Sequence, residues 1–452
     1  MLTIVRTPRI GVKHTVAPLL VWRLVVHRLS GSRPGRDTIS AVTYAADLHI
    51  HSSYAYATSP DLNIANLARW ARIKGIDLLA TGDFTHPSWL REIRQTLEDT
   101  GDGLFAMDGV RFVLGTEMSC VAPQGGRSRR VHLLVLAPSL STVDRINRRL
   151  AAAGNSLAGD GRPTIHMTPR DLVTTLLEID ERCIVIPAHA WTPWYGLYGS
   201  KSGFDSLREC FGDVLPHVSA IETGLSSDPA MCWRVPELDG LSLVSFSDAH
   251  SLPKLGRELT VFNGEPGYAD LADALRNQDI AYTIEFFPEE GKYHNSGHRK
   301  CGVSYGPEEV AESGAVCPVC GRPMTLGVMQ RVVDLGSRDV HTFRDQDGLT
   351  RSDNGRPPFR SLVSLQQILS EALSVGVNTK RVRTAYFKLV EAFGTELATL
   401  LEAPPVDITG ALPEHGERIA EGVAKVRSGE VLIEPGFDGR YGTVRVWPDD
   451  PA

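Results

Sequence analysis

The stretch Ala45-Ala-Asp-Leu-His-Ile-His-Ser52 runs from small apolar residues into two histidines two positions apart. On an extended chain, residues i and i+2 face the same side, so a strand over Ala45–Ile50 would offer His49 and His51 to one cavity. A helical stretch follows it: Leu62, Ile64, Leu67, Ala68, Ala71 and Ile73 recur near the helical period, and Gly75 ends the run. The same unit repeats. Further apolar runs lie at Asp77–Thr81, Arg111–Thr116, Val131–Ala137, Cys183–Ala188, Val218–Glu222, Leu241–Ser245 and Leu259–Phe262. Helices are predicted between them over Pro87–Asp99, Ser141–Ala153, Pro169–Glu178 and Tyr268–Asn277. This alternation predicts an α/β barrel across residues 42–288.

Composition narrows the class. In 452 residues, 42% hydrophobic and 22% charged, there is enough apolar side chain for a sizeable core, and bulk disorder is excluded. A formal charge of −7 excludes a chain that coats nucleic acid by overall basicity, so any DNA or RNA partner must be met by a local patch. Seven irregularly spaced cysteines make no disulfide framework and fit a reducing compartment. The most apolar N-terminal run, Val16–Val26, is short and broken by Arg23, so neither a membrane span nor a signal peptide is expected. Residues 1–41 read as a tail, from translation at an upstream start codon, with Val42 near the domain edge. After residue 288 a Cys/His-rich module is expected over 289–345, then a Gly/Asp/Arg/Pro linker (345–358) and a mostly helical C-terminal domain over 346–452.

Ligand-type residues recur at the predicted strand ends: His49 and His51, Asp83 and His86, Glu117, His132, His189, Glu222, then Asp248 and His250. That edge of a barrel carries the active site. A mixed imidazole and carboxylate set suits zinc, manganese or iron better than magnesium alone, and so many donors imply more than one ion. After His189 come Trp191, Trp194, Tyr195 and Tyr198, rings suited to stacking on unpaired bases, and Lys201, a phosphate contact between two glycines. Gly and Lys are not adjacent there as a nucleotide-binding P-loop requires. Ser227 and Asp228 offer hydrogen-bonding groups after the sixth strand. His298-x2-Cys301 with Cys317-x2-Cys320 has the two-knuckle spacing of a structural zinc site, with His294 as the alternative fourth ligand. Lys292, Arg299, Lys300, Arg322 and Arg331 surround it as a basic patch for backbone phosphates.

The opening Asp47-Leu-His-Ile-His-Ser52 and closing Ser247-Asp-Ala-His250 resemble the polymerase and histidinol phosphatase (PHP) superfamily. Three further stretches resemble its endonuclease Q family: residues 74–87 (KGIDLLATGDFTHP), Ala190-Trp-Thr-Pro-Trp-Tyr195 and Gly199-Ser-Lys-Ser-Gly-Phe-Asp205. With the Cys-rich module and Gly436-Phe-Asp-Gly-Arg-Tyr-Gly442, the likeness runs over almost everything after residue 42. It implies a distorted (β/α)7 PHP barrel with a two- or three-metal phosphoesterase centre. His49, His51, Glu117 and Asp248 would hold one ion, and Glu117 would bridge to a second held by His132 and His189. A third would fall to His250 with either Asp83 or His86, since Phe84 and Ala57 stand where other members carry histidines. The implied activity is nicking of DNA, single- or double-stranded, on the 5′ side of deaminated bases (uracil, hypoxanthine, xanthine) or abasic sites, leaving 3′-hydroxyl and 5′-phosphate ends. Catalysis would rest on Asp248, Glu117, His49, His51, His189 and His250, with zinc, manganese, magnesium or iron in the barrel and one structural zinc. The implied setting is the cytoplasm of a prokaryote, at the nucleoid, and no clear sliding-clamp peptide is present. The rival classes are a small-molecule phosphatase on the same barrel and a degenerate barrel that only binds DNA.

Overall fold

The computed structural model describes residues 42–448; the expected tail, 1–41, lies outside the described residues. A mixed α/β core is built on a central sheet. Its strands are β1 (Thr43–Asp47), β2 (Leu78–Ala80), β3 (Val110–Gln124), β4 (Arg127–Ala137) and β5 (Ile184–Pro187). β6 (Ala220–Glu222), β7 (Ser242–Val244), β8 (Leu259–Asn263) and β9 (Ile280–Glu285) follow. β1, β2 and β3 are parallel neighbours. All three residues of β2 are buried, as strands covered on both faces require. β4 returns antiparallel along β3 and pairs antiparallel with β5. The Ala190 N–H reaches the Glu222 carbonyl, β6 runs parallel to β7, and Ile50 bridges Ala249. Hydrogen bonds thus lead around a ring of strands and back to the end of β1, where His49 and His51 sit.

Three expectations need correction. β4 was expected to follow the parallel pattern, yet Gly125 and Gly126, both at positive φ, fold a tight hairpin that forces it antiparallel. β8 was expected as a further barrel strand, but it runs antiparallel to β1 and leads outward through β9. The expected linker over 345–358 is likewise part of the sheet. Asp345 Oδ1 accepts the N–H groups of Asp347 and Leu349, making a turn between strands Thr342–Arg344 and Thr350–Ser352. Phe359–Ser361 then pairs with β9.

The helices follow their local signals. Ile64–Lys74 starts on the Asn63 cap, ends at Gly75 with φ 90°, and buries Ile64, Leu67, Ala68 and Ala71. Pro87–Thr96, Leu140–Ala152, Pro169–Ile179 and Tyr268–Asn277 lie within a few residues of their predicted bounds. At the C-terminal end, helices Leu365–Ala372, Lys380–Phe393 and Gly416–Ser428 pack with two shorter ones the sequence did not signal, Glu396–Leu401 and Pro405–Ala411. Glu396 fastens this group to the barrel: it pairs with Lys74 Nζ at 2.6 Å and accepts the Tyr386 hydroxyl at 2.6 Å, all three buried. Trp70 lies beside Tyr386 and Phe387 in the same seam. Among the described residues, no helix is long and apolar enough to cross a membrane.

Candidate metal centre

Past the ends of β1 and β7 and from the middle of β3, His49, His51, Asp248 and Glu117 bring one donor atom each to within 4.8 Å of one another. His51 Nε2 lies 3.3 Å from Glu117 Oε2 and 3.1 Å from Asp248 Oδ1. His49 Nε2 lies 3.5 Å from each of these carboxylates and has no hydrogen-bond partner, although it is buried. A second set, His132 and His189, meets the other oxygen: His132 Nδ1 is 2.6 Å and His189 Nε2 3.1 Å from Glu117 Oε1. Glu117 therefore offers its two oxygens to two groups of imidazoles. An orphaned imidazole nitrogen deep in the protein, aimed at two carboxylates, is the arrangement a divalent cation satisfies, and the donor set fits divalent metal.

An outer layer orients these donors. Both Glu222 oxygens lie 3.0 Å from His49 Nδ1, and Oε2 also accepts the His189 N–H at 2.6 Å. Asp83 Oδ1 holds His51 Nδ1 at 3.1 Å, while Oδ2 accepts the Ser52 N–H and hydroxyl. Thr192 holds His189 Nδ1 at 2.9 Å. Fixing one ring nitrogen leaves the other free to ligate. Asp83, His189 and Asp248 all sit at positive φ (44°, 31° and 46°), and Gly224 packs so close that a Cβ there would lie 2.6 Å from that of His189. Backbone strain of this kind persists where surrounding structure imposes it, commonly at functional sites.

Electrostatics set the proton inventory. Burial alone would raise Glu117, but His132 and His49 outweigh it and hold the carboxyl well below its ordinary range. Burial likewise opposes charge on His49 and His51, yet Glu222, Glu117 and Asp248 around the first, and Asp83 and Asp248 around the second, raise both well above an ordinary imidazole. Burial lowers His132 to about 4, so it is a neutral donor at pH 7. A cation entering the first set must displace protons, which makes its affinity pH-dependent.

Among the described residues, the members of the third expected set have these surroundings. His250 stands beside the His51 ring at 4.6 Å; Asp83 is committed to His51 and Ser52; His86 stacks on Tyr54 and points Nε2 at the Ala158 carbonyl. A cavity of about 400 Å³ opens over the centre, with His132, His189 and Asp248 on its floor and Trp194, Tyr195 and Arg162 on its wall. Of the aromatic residues, Trp194 is 43% exposed and Tyr195 lies 4.4 Å from the His132 ring. Trp191 is instead interior, stacked on Tyr198 with Nε1 toward Cys232. Lys201 is exposed. Ser227 and Asp228 do not face the cavity: Ser227 is buried and donates to the Thr223 carbonyl, and Asp228 caps the helix Pro229–Trp233. Sequence reasoning missed Arg162, whose Nη1 is 3.2 Å from Glu117 Oε2, because it sits in an irregular loop with no pattern to mark it.

His298, Cys301, Cys317 and Cys320 form a separate group with donors within 4.8 Å, while His294 lies outside it, buried. Arg331 is not part of a free basic patch, since it bonds the Tyr198 and Phe204 carbonyls and pairs with Asp205.

Residues 364–430 match the family model described as the MJ0043 C-terminal domain. The protein MJ0043 of Methanocaldococcus jannaschii is 30% identical over 268 residues, 58% of this chain and only 32% of that relative's length. YqxK of Bacillus subtilis is 28% identical over 431 residues, 88% of this chain and 98% of the relative. Among solved structures, the lesion-specific endonuclease PfuEndoQ of Pyrococcus furiosus superposes with a TM-score of 0.77 at 28% identity, over 89% of this chain and 95% of its own. Endonuclease Q in complex with a 27-mer duplex, an abasic lesion at its active site, gives 0.76 at 28% identity over 90% and 97%. Over nine-tenths of its length, then, this chain resembles endonuclease Q in three dimensions as well as in its motifs.

Proposed function

We propose that this chain is a metal-dependent DNA repair endonuclease that hydrolyses the phosphodiester 5′ of deaminated bases or abasic sites, leaving 3′-hydroxyl and 5′-phosphate ends. The observation that carries this reading is the buried Glu117 carboxylate, shared between two donor sets of which His132, His189 and Asp248 line an open cavity. Likeness to a lesion-specific endonuclease supports it. In this reading the ring of strands is a seven-stranded PHP barrel. His49, His51, Asp248 and one Glu117 oxygen would hold one ion, and His132, His189 and the other oxygen a second. Bound divalent cations supply Lewis acidity toward phosphate oxygens and acidify water. Asp248, 26% exposed at its side chain, would both hold an ion and orient the attacking water toward phosphorus. Trp194 and Tyr195 offer ring faces to an unstacked base beside the cut, worth about 1–3 kcal/mol per stacked base. The Cys/His module, with a structural zinc, and the C-terminal helices would grip the duplex, in the cytoplasm.

The test is nicking of labelled duplexes bearing uracil, hypoxanthine, xanthine or an abasic site, with Mg²⁺ or Mn²⁺ and product ends mapped. The wild type should nick 5′ of at least one lesion and spare undamaged duplex. Asp248→Asn should abolish nicking and leave DNA binding intact. Retained nicking would remove Asp248 from catalysis, and a wild type inert on all four lesions would overturn the assignment.

A further inference from the structure

We infer that Arg162 is a catalytic residue that binds a nonbridging oxygen of the phosphodiester at this centre; the inference rests on the hydrolase reading above. The loop carrying Arg162 is locked over the donor atoms. The Gly161 N–H bonds the Tyr54 carbonyl, its own carbonyl accepts the Thr85 hydroxyl, and the Ser119 N–H bonds the Pro163 carbonyl. A Cβ at Gly161 would lie 2.5 Å from Asp83 Oδ2, so the chain passes as close as a backbone can to the carboxylate that orients His51. Asp160 Oδ1 accepts both the Arg162 and the Tyr56 N–H groups, which fixes the base of the side chain.

From that base the guanidinium reaches inward, one-quarter exposed, and lines the cavity with His132, His189 and Asp248. Its side chain bonds one group, Glu117 Oε2, through Nη1. A guanidinium carries five N–H donors in a planar fork, so most of them remain for a ligand on the cavity side. A fixed cation beside donors that themselves gather cations is costly until an anion arrives. Phosphate, which gains charge on its nonbridging oxygens as water attacks, is the anion that rewards this placement most in the transition state. Arg162 transfers no proton and forms no bond to phosphorus; it holds charge. The competing role is that Arg162 merely positions Glu117.

The experiment compares wild type, Arg162→Ala and Arg162→Lys as full-length, metal-loaded proteins. Metal content is counted per chain, inorganic phosphate affinity is measured by calorimetry, and turnover is followed on lesion duplexes and on bis(4-nitrophenyl) phosphate. Arg162→Ala should keep its metal content, bind phosphate at least tenfold more weakly, and lose on the order of 100-fold in kcat, as loss of one oriented donor to an oxyanion does. Added guanidinium ion should restore part of that loss in Arg162→Ala and do nothing for wild type, and Arg162→Lys should recover phosphate affinity more than kcat. Metal content falling together with activity, or phosphate affinity unchanged in Arg162→Ala, would overturn the proposal. A wild type that cleaves the small diester but no DNA would sink the repair reading and leave this test standing. Phosphate affinity and metal content decide the role of Arg162 even without turnover.

Discussion

Glu222 touches both donor sets, through the His49 ring and through the His189 backbone N–H. Glu222→Gln keeps the side chain's size and removes its charge. With the amide oxygen in the Oε2 position, the His189 N–H keeps its acceptor, but the amide NH₂ then faces His49 Nδ1 where Oε1 lay at 3.0 Å. Loss of an outer-layer partner typically costs roughly 10–100-fold in metal affinity. Because the His189 N–H keeps its acceptor and only the His49 partner is lost, the expectation is the lower end, about 10-fold or ~1.4 kcal/mol. The sign of its pH dependence follows. Glu222 is the strongest attraction raising His49, so in the wild type metal must compete with a firmly held proton, and the variant relieves that competition. The deficit should therefore be smallest near pH 6 and widen toward pH 8.5. Equilibrium dialysis against a buffered metal series, with metal counted per chain and folding checked by thermal unfolding, gives the affinity directly. A variant that binds metal as tightly as wild type across that range would refute the orienting role of Glu222.

Glu285 is buried, accepts the Ser245, Thr283 and Thr223 hydroxyls, and burial pushes its carboxyl up to about 8. The native state therefore holds its proton after the unfolded chain has released it, so stability falls as pH rises from about 4.5 to about 8, by about 1.4 kcal/mol per unit at most. Glu285→Gln should flatten that slope in thermal unfolding; an unchanged slope would assign the proton elsewhere. Cys317→Ser should lose the zinc of the His298/Cys301/Cys317/Cys320 group and keep the barrel metals, and full zinc content in the folded variant would show that group to be misread. Glu396→Ala strands Lys74 in a buried seam and removes the acceptor of the Tyr386 hydroxyl, so chemical denaturation should report a loss of about 3–5 kcal/mol. A loss under 1 kcal/mol would mean the pair is solvated.

The donors of the two sets were legible because ligand-type residues follow or interrupt apolar runs: His49 and His51 stand two positions apart just past β1, and Glu117 and His132 lie inside β3 and β4. What was not legible lay in irregular chain. Arg162 is 45 residues from Glu117 with no period connecting them, and only folding brings them to 3.2 Å. Trp191 and Trp194 look alike in sequence, but a loop without regular pitch gives no rule for which ring turns inward. Two misreadings had signals available. Gly125-Gly126 between apolar runs is hairpin chemistry and should have turned β4 around. Asp345-Gln-Asp-Gly348 is a turn, and reading it as linker mistook polarity for looseness. Arg331 was read as a phosphate contact because arginine clusters usually are; its carbonyl partners come from a loop more than 120 residues away.

The seam of Trp70, Lys74, Tyr386 and Glu396 bears on how such a chain can be divided or recombined. A barrel cut away from its C-terminal helices would show water an indole face and an ammonium group whose counter-charge had left with the excised part. Helices borrowed from a relative would have to arrive with an acid and an aromatic pair at matching places. Strands and helices joined in this way must be inherited and engineered as a single heritable piece.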